Sequence, residues 1–344
     1  MSDKKSHLDI GTASRLRIVF RLLDVAILCC LLLSLGGYLG GISWYFGLMV
    51  HFKVQYLGVL CFCAIAAAVT RRWPWFIVAL FGICINGIAV FPWYASDQSH
   101  LSSSRERELR VLFSNVHVLN RQHDKLIELV ETELPDVLIL QEISSHWVRS
   151  FETVGHSFPN KHLVPRNDSF GIGIFSRISI RMSEVIHFGK QYPSLLAVLE
   201  IGGERVTILA LHPPPPVSEQ AAASRNEQLQ ATASYFREIQ TPKFIVGDLN
   251  TTMWSRNYTR FVRESGLENA RRGFGILPTW PTYFPPMYIP IDHCLVSPDI
   301  TVVDMRTGND VGSDHLPLIV DLSLTSTNLT TWRESIIRNA SVTD

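Results

Sequence analysis

Polar residues able to do acid–base chemistry stand at the edges of short apolar runs after residue 108. Asn115 ends the run LRVLFSN, Glu142 follows VLILQ, and His212 follows RVTILAL. Three more runs are bordered by pairs of such residues: Asp248 with Asn250, Asp292 with His293, and Asp314 with His315. Asn and Asp are also common in turns, so the inference depends on all six positions together. Because strand ends converge in a layered sheet, we expect these side chains to share one pocket.

Carboxylates, amides and histidines without cysteine suit a hard cation, Mg²⁺ or Mn²⁺, with water and phosphate oxygens as further ligands. Hydrolysis of a phosphodiester requires an oriented water, neutralised charge on the phosphoryl oxygens and protonation of the leaving oxygen. Glu142 is suited to holding the metal, and Asp248 to accepting a proton from water. His212 and His315 are suited to donating hydrogen bonds to phosphoryl oxygens.

Alternating strands and helices are predicted to position these residues. The predicted strands are LRVLFSNV, VLILQE, GIGIFSR, LLAVLEI, RVTILALH, KFIVGDLN, PIDHCLVS and LPLIVDLS. Helices are predicted over residues 124–133 and 219–239. Many short strands with fewer helices predict an α/β domain of two packed sheets flanked by helices.

The same motifs, in the order SNV, LILQE, GIGIFSR, LALHP, FIVGDLN, PIDHCLVS and GSDHLPL, resemble the endonuclease/exonuclease/phosphatase superfamily. The branches that it resembles include deoxyribonucleases, abasic-site endonucleases and neutral sphingomyelinases. GDLN and SDHLP are specific because they occur together and in this order. The resemblance covers about residues 108–322 and implies a four-layer α/β sandwich, in agreement with the predicted strands.

Site roles follow from the resemblance, motif by motif. It implies that Asn115 and Glu142 bind the metal, with Asp314 near it. It implies that Asp248 and Asn250 position the attacking water and the scissile phosphate. His315 would contact the phosphate while Asp292 orients and charges that imidazole, and His212 would act on charge in the transition state. His293 should point to the opposite face of its strand and is left out of the predicted site.

Substrate contacts are less well marked. Arg166 and Asn167, before the GIGIFSR strand, and Arg225, on the helix after His212, are candidate substrate-binding residues; each arginine is equally well explained as a solvated side chain. The segment 275–290, GILPTWPTYFPPMYIP, is predicted either to form a lip that stacks bases or touches lipid tails, or to be a proline-stiffened loop packed on the core.

The first 95 residues are predicted to anchor the chain in a membrane through three transmembrane helices. Uncharged apolar runs cover 25–41, 56–70 and 73–94, and a helix needs roughly 20 apolar residues to cross a bilayer. The second run is short unless its helix starts earlier. Three successive runs argue against a cleaved signal peptide.

Lys and Arg in the flanks predict the orientation. Five precede the first run, and Arg71 and Arg72 lie between the second and third. The N-terminus should therefore be cytoplasmic. Three crossings of a cell inner membrane would then place the rest of the chain in the periplasm.

Composition separates the chain into two parts. Residues 1–95 carry eight basic residues (Lys and Arg) and three acidic residues (Asp and Glu). The whole chain has 31 of each, so the remainder carries 23 basic and 28 acidic residues. We expect an anchor over 1–95, a linker over 96–107, a catalytic domain over 108–322 and a polar tail over 323–344. Five of six cysteines lie in the anchor, so Cys294 should be a lone buried thiol and neither a disulfide framework nor a thiolate metal site is expected.

Two functions from different classes fit these observations. One is a membrane-anchored, Mg²⁺- or Mn²⁺-dependent phosphoesterase that acts on nucleic acid or on a phospholipid head group, without an organic cofactor. The other is a catalytically silent domain that binds a phosphorylated ligand or a protein. The acidic balance after residue 95 lacks the basic surface that general nucleic-acid binding requires. The complete set of acids, amides and histidines favours the enzyme.

Overall fold

The structure is a computed structural model that describes residues 3–95, 109–151, 157–189, 192–201 and 203–324. It divides into two compact units. The helical unit comprises Met1–Pro92 with Trp254–Arg256, and the sheet unit comprises Trp93–Met253 with Asn257–Asp344. The predicted linker, 96–107, and nearly all of the predicted tail lie outside the described residues.

The helical unit contains α1 (Asp3–Gly36), α2 (Trp44–Met49), α3 (Lys53–Val69) and α4 (Trp73–Val90). Three segments of the described chain are long and apolar enough to cross a membrane: Arg15–Leu39, Trp44–Val69 and Trp73–Trp93. Their number agrees with the prediction. The second begins well before the predicted run because α2 continues through a 3-10 turn into α3.

Polar side chains inside the helical unit have partners within it. Asn86 Nδ2 donates to Ser34 Oγ at 2.8 Å, and Lys53 Nζ donates to the Ser34 carbonyl at 3.3 Å. Arg72 pairs with Asp24 at 2.7 Å. Such pairing is needed because an unpaired polar group in an apolar environment is costly.

The sheet unit contains two six-stranded mixed sheets. The strands are β1 (Leu109–Asn115), β2 (Val137–Gln141), β3 (Asn160–Val164), β4 (Ile172–Ser176), β5 (Ile180–Ile186), β6 (Ser194–Ile201), β7 (Glu204–Ala210), β8 (Lys243–Asp248), β9 (Glu268–Asn269), β10 (Asp292–Val296), β11 (Ile300–Thr307) and β12 (Leu318–Leu324). The helices are α5 (His123–Glu133), α6 (Ser145–Ser150), α7 (Glu219–Glu238) and α8 (Arg256–Ser265), of which α8 begins in the helical unit. Every predicted strand and both predicted helices are present, and β12 runs two residues past the predicted domain end.

Each sheet has one parallel pair near its centre. The strand orders are β11-β12-β1-β2-β4-β3 and β5-β6-β7-β8-β10-β9. Strands β1 and β2 are parallel and joined by α5, and β7 and β8 are parallel and joined by α7. The other paired strands are antiparallel. Parallel neighbours need such crossover helices, so each sheet carries helices on its outer face.

The main core lies between the two sheets. It contains side chains of both, including Phe113, Ile139, Ile208, Val246 and Cys294. A second apolar cluster fills the space between the first sheet and helices α5 and α6. The result is the predicted four-layer α/β sandwich, and Cys294 is the buried thiol that was expected.

The side chain of Gln141 links the first sheet to the second beside Gly247. Gln141 Nε2 donates to the Leu211 carbonyl, and Gln141 Oε1 accepts from the Asp248 N–H, both at 3.0 Å. A Cβ on Gly247 would lie 2.0 Å from the Leu211 oxygen and 2.6 Å from Gln141 Nε2. Position 247 therefore has no room for a side chain.

We expect Gly247→Ala to destabilise the sheet unit by about 3 kcal/mol or more, because backbone must move to relieve the clash. Thermal unfolding of the detergent-solubilised chain, followed by tryptophan fluorescence, would measure the effect as a lower midpoint. Gly308→Ala is the control, since a Cβ there meets only side-chain atoms at 3.2 Å or more. Equal midpoints for the two variants would contradict the close contact.

Candidate active site

The predicted site residues meet at one edge of the two sheets. Asn115 ends β1 and Glu142 follows β2, the parallel pair of the first sheet. His212 follows β7 and Asp248 ends β8, the parallel pair of the second. Because Gln141 bonds to Leu211 and Asp248, the carboxyl ends of these two pairs adjoin.

Two site residues have a left-handed backbone. The φ angle is +60° at Glu142 and +50° at Asn250. Such values are uncommon for residues other than glycine, and they are found where the surrounding structure holds a functional side chain in place. At Asn250 the constraint is visible, because its N–H donates to Asp248 Oδ1 at 2.8 Å and its Nδ2 donates to the Pro213 carbonyl at 3.0 Å.

Asp248 is at the centre of the site, with 2% of its surface exposed. Its Oδ2 atom faces His212 Nε2 at 3.6 Å, His315 Nε2 at 3.7 Å and Asn115 Nδ2 at 3.4 Å. Burial alone would raise the pKa of Asp248, but the two histidines and the Asn250 N–H together lower it. The carboxylate is therefore ionised at neutral pH. Asp248 is also the acidic partner of His212, which the motifs did not reveal.

His315 forms a buried pair with Asp292. Its Nδ1 atom lies 2.9 Å from Asp292 Oδ2. Burial would lower the pKa of His315, but Asp292 and Asp248 outweigh it and raise that pKa to about 10. Burial also raises the pKa of Asp292, against the effect of His315. We place the shared proton on the imidazole, because a second carboxylate, Asp248, also faces the ring.

Glu142 and Asn115 form the other half of the site. Asn115 Nδ2 donates to Glu142 Oε1 at 3.1 Å, and the Val118 N–H donates to Glu142 Oε2 at 3.2 Å. Within the part of the chain that the structure describes, no Lys, Arg or His pairs with this buried carboxylate. A buried charge without a counterion is costly, so Glu142, an oxygen donor, fits a hard divalent cation.

A second set of metal-binding types is formed by Asp248, Asp292 and His315, whose ligand atoms lie within 4.8 Å of one another. A histidine must be neutral to bind a metal. Because His315 Nδ1 is already paired with Asp292 Oδ2 at 2.9 Å, this set is arranged to share a proton.

Asp314 is half-buried and points to the segment 275–290. Its Oδ2 accepts a hydrogen bond from Trp280 Nε1 at 3.1 Å. Among the described residues, no hydrogen bond links it to Glu142. Its predicted place near the metal stays a prediction.

The three predicted substrate contacts differ in exposure. Asn167 and Arg166 are exposed, and Arg166 is paired with Asp168 at 2.5 Å. Arg225 is buried, and its Nη1 donates to the Asn250 carbonyl at 2.8 Å. Arg225 therefore supports the GDLN turn from behind, while contact with substrate stays a prediction for all three.

Sequence reasoning missed Arg271, which is fully buried behind the site. It donates to the Asp292 carbonyl at 2.8 Å and to His293 Nδ1 at 3.1 Å. His293 Nε2 in turn lies 2.8 Å from the Thr251 carbonyl. An arginine only donates, so His293 accepts at Nδ1 and donates at Nε2. This neutral ring, on the face away from the site as predicted, ties the Asp292 strand to the GDLN turn.

Burial and the nearby Arg271 lower the pKa of His293 to about 3, against an ordinary value of 6.5. Between these pH values the unfolded chain binds one more proton here than the folded chain does. The buried, neutral His293 therefore contributes fully to the free energy of unfolding above pH 6.5. This contribution is lost as the pH falls towards 3, by about 1.4 kcal/mol per pH unit.

We expect His293→Gln, which keeps a donor and an acceptor but cannot titrate, to weaken this loss of stability in acid. Denaturant midpoints of the metal-free chain between pH 6.5 and 4 would show a smaller slope than in the parent. His187→Gln, at an exposed histidine, serves as the control. The same slope in the parent and His293→Gln would contradict a buried neutral imidazole.

Comparisons with known proteins identify a family. A family model described as the Endonuclease/Exonuclease/phosphatase family matches residues 112–315. No curated protein sequence matches the chain.

Several solved structures share the fold. D. rerio TDP2 complexed with single strand DNA product is 19% identical, with a TM-score of 0.54 over 62% of this chain and 98% of that one. The human nocturnin catalytic domain with bound sulfate anion is 19% identical, with a TM-score of 0.53 over 63% and 94%. An endonuclease/exonuclease/phosphatase from Beutenbergia cavernae is 21% identical, with a TM-score of 0.53 over 64% and 72%.

At these sequence identities the solved structures establish only the fold. The family model establishes the family. Its matched segment covers more than half of the chain and includes every residue of the site from Asn115 to His315. The chain therefore belongs to the endonuclease/exonuclease/phosphatase family, as its motifs predicted.

Proposed function

We propose that the chain is a metal-dependent phosphodiesterase that uses an activated water. Members of the family hydrolyse phosphodiester bonds in nucleic acids or lipid head groups. The observation that supports catalysis most strongly is the convergence of His212, His315 and Asn115 on one oxygen of Asp248. A buried, ionised carboxylate among hydrogen-bond donors is what proton transfer from a water requires.

The residues have distinct roles in this proposal. Asp248 accepts a proton from the attacking water, which Asn250 helps to orient. The protonated His315, held by Asp292, donates a hydrogen bond to a phosphoryl oxygen and stabilises its developing charge. His212 does the same from the other side of Asp248.

The donor set fits a divalent cation at Glu142. Glu142 would hold Mg²⁺ or Mn²⁺ together with Asn115, and with Asp314 nearby. When bound, the ion would neutralise charge on the non-bridging phosphate oxygens. The neighbouring structures are consistent with a phosphate ligand, since TDP2 holds a DNA product and nocturnin holds sulfate.

The three apolar helices suggest that the chain is associated with a membrane. We place them in the cell inner membrane with the N-terminus and Arg71–Arg72 in the cytoplasm. An odd number of crossings then puts the catalytic domain in the periplasm.

We expect Asp248→Asn and His315→Gln each to lower kcat by about 10²–10⁴-fold, because each removes a proton acceptor or a charged donor. Hydrolysis of bis-p-nitrophenyl phosphate by the full chain in detergent, with Mg²⁺ or Mn²⁺, measures this. EDTA should abolish turnover, and added metal should restore it.

Asp310→Asn is a matched control, since Asp310 is an exposed carboxylate in the loop before the SDH motif. Its rate should equal that of the parent. A folded parent chain with no turnover on this substrate, DNA, RNA or phospholipid would instead favour the catalytically silent binding domain.

Arg225→Lys tests whether this side chain supports Asn250 or contacts substrate. A lysine cannot reproduce the guanidinium contacts to both the Asn250 carbonyl and Asn226. We expect kcat to fall by roughly tenfold to a hundredfold with little change in KM, because the GDLN turn, which carries Asp248 and Asn250, shifts. A rise in KM at constant kcat would show substrate contact instead. Arg237→Lys, exposed on the same helix, is the control.

A further inference from the structure

Exposed apolar side chains of the sheet unit are concentrated around the active site. Among its described residues, nine large apolar side chains are exposed. Five lie on three loops at the site edge, and we call them the apolar rim: Leu119, Val217, Tyr283, Phe284 and Met287. The three most exposed of the nine, at 69–77%, all belong to the rim.

Each rim loop is hydrogen-bonded to a site residue or to a segment that carries one. Leu119 follows Val118, whose N–H donates to Glu142 Oε2 at 3.2 Å. The loop of Val217 is tied to the GDLN turn, because Asn250 Nδ2 donates to the Pro213 carbonyl. The other three residues follow Thr282, whose N–H donates to the Asp314 carbonyl at 3.0 Å.

The first and third loops also connect to each other. Thr282 Oγ1 donates to the Ser313 carbonyl at 2.7 Å, and Ser313 Oγ donates to the Asn115 carbonyl at 2.7 Å. The rim loops are therefore bonded to the segments that carry Asn115, Asn250 and Asp314.

The stretches that carry the rim residues have no formal charge, although the exposed Arg121 and Arg272 lie elsewhere in the first and third loops. Residues 116–120, 213–218 and 275–290 contain no Lys, Arg, Asp or Glu. Binding of a nucleic-acid backbone depends on Lys and Arg that neutralise its phosphates. Phenylalanine, tyrosine, leucine and methionine side chains are instead the types that enter the interface of a bilayer.

The proposed membrane anchor limits how far the sheet unit can move from lipid. Residues 96–108 separate the last apolar helix from β1. A segment of that length spans at most about 45 Å even when fully extended. A sheet unit tethered in this way would meet lipid at a high effective concentration.

We propose that the apolar rim lies against a lipid bilayer and that the substrate is a membrane phospholipid. The head-group phosphodiester reaches Asp248 and His315 while the rim stays in contact with the apolar part of the lipid. The choice of substrate rests on the proposed function, whereas contact with the bilayer can be tested without turnover.

Contact is measured by hydrogen exchange of the full chain in two environments. One is a nanodisc of phosphatidylcholine and phosphatidylglycerol, and the other is an amphipathic polymer that covers the helices but offers no bilayer. We expect the amides of residues 282–284, 287 and 288 to exchange at least threefold more slowly in the nanodisc. The triple variant Tyr283→Ser, Phe284→Ser, Met287→Ser should lose this protection.

The substrate is tested by turnover in vesicles of phosphatidylcholine, phosphatidylethanolamine and phosphatidylglycerol. The triple variant should hydrolyse phospholipid at least tenfold more slowly and soluble bis-p-nitrophenyl phosphate within twofold of the parent rate. The double variant Leu134→Ser, Met182→Ser is the matched control, because it removes exposed apolar side chains away from the rim. It should retain both activities.

The outcomes separate the two proposals. Unchanged exchange in the nanodisc would overturn bilayer contact. Cleavage of single-stranded DNA without any phospholipid turnover, or equal losses on both substrates, would overturn the lipid substrate. A parent chain that hydrolyses no substrate would overturn the proposed phosphodiesterase, while the exchange data would still decide whether the rim meets the bilayer.

Discussion

Two buried carboxylates face each other across neighbouring strands, and the site depends on how their charge is balanced. Asp292 is the direct register partner of Asp248, and both are almost completely buried. Like charges in this position repel, and burial makes each one more costly. The imidazole of His315 contacts Asp292 at 2.9 Å and faces Asp248 at 3.7 Å. The positive charge of His315 offsets the repulsion between Asp248 and Asp292, and the same charge can stabilise a bound phosphate.

The fold supplies this arrangement through close contact between the two sheets. The Gln141 amide bonds to strand ends of the second sheet, and the absence of a side chain at Gly247 leaves room for that amide and for the Leu211 carbonyl. Carboxyl ends of both parallel pairs then lie side by side, which is where ligands bind in open α/β sheets. Arg225 donates to the Asn250 carbonyl in the GDLN turn, and Arg271 donates to the Asp292 carbonyl in β10. These two buried arginines thus hold the backbone of the site in place, while the five side chains of the apolar rim carry no charge.

Interior strands were predictable and edge strands were not. The eight predicted strands occupy the central positions of the two sheets, where both faces are covered and the sequence is a continuous apolar run. The four that escaped prediction, β3, β5, β9 and β11, are the outermost strands of the two sheets. Their residues are partly exposed and mix polar with apolar side chains. The hydrophobic sequence pattern of an edge strand is weak, because the strand is held by hydrogen bonds to a single neighbouring strand and is not buried on both faces.

Residue types and their order along the chain were sufficient for the family, the layered fold, the apolar helices and the residues at the strand ends. Those features depend on periodicity and on short motifs, which are local. The pairing of His212 with Asp248, the Trp280 contact of Asp314 and the anchoring contacts of Arg225 and Arg271 emerged only in three dimensions. These contacts join residues that are far apart in sequence. The sequence alone also does not show whether a charged side chain is solvated or buried. Burial and long-range distance decide its role.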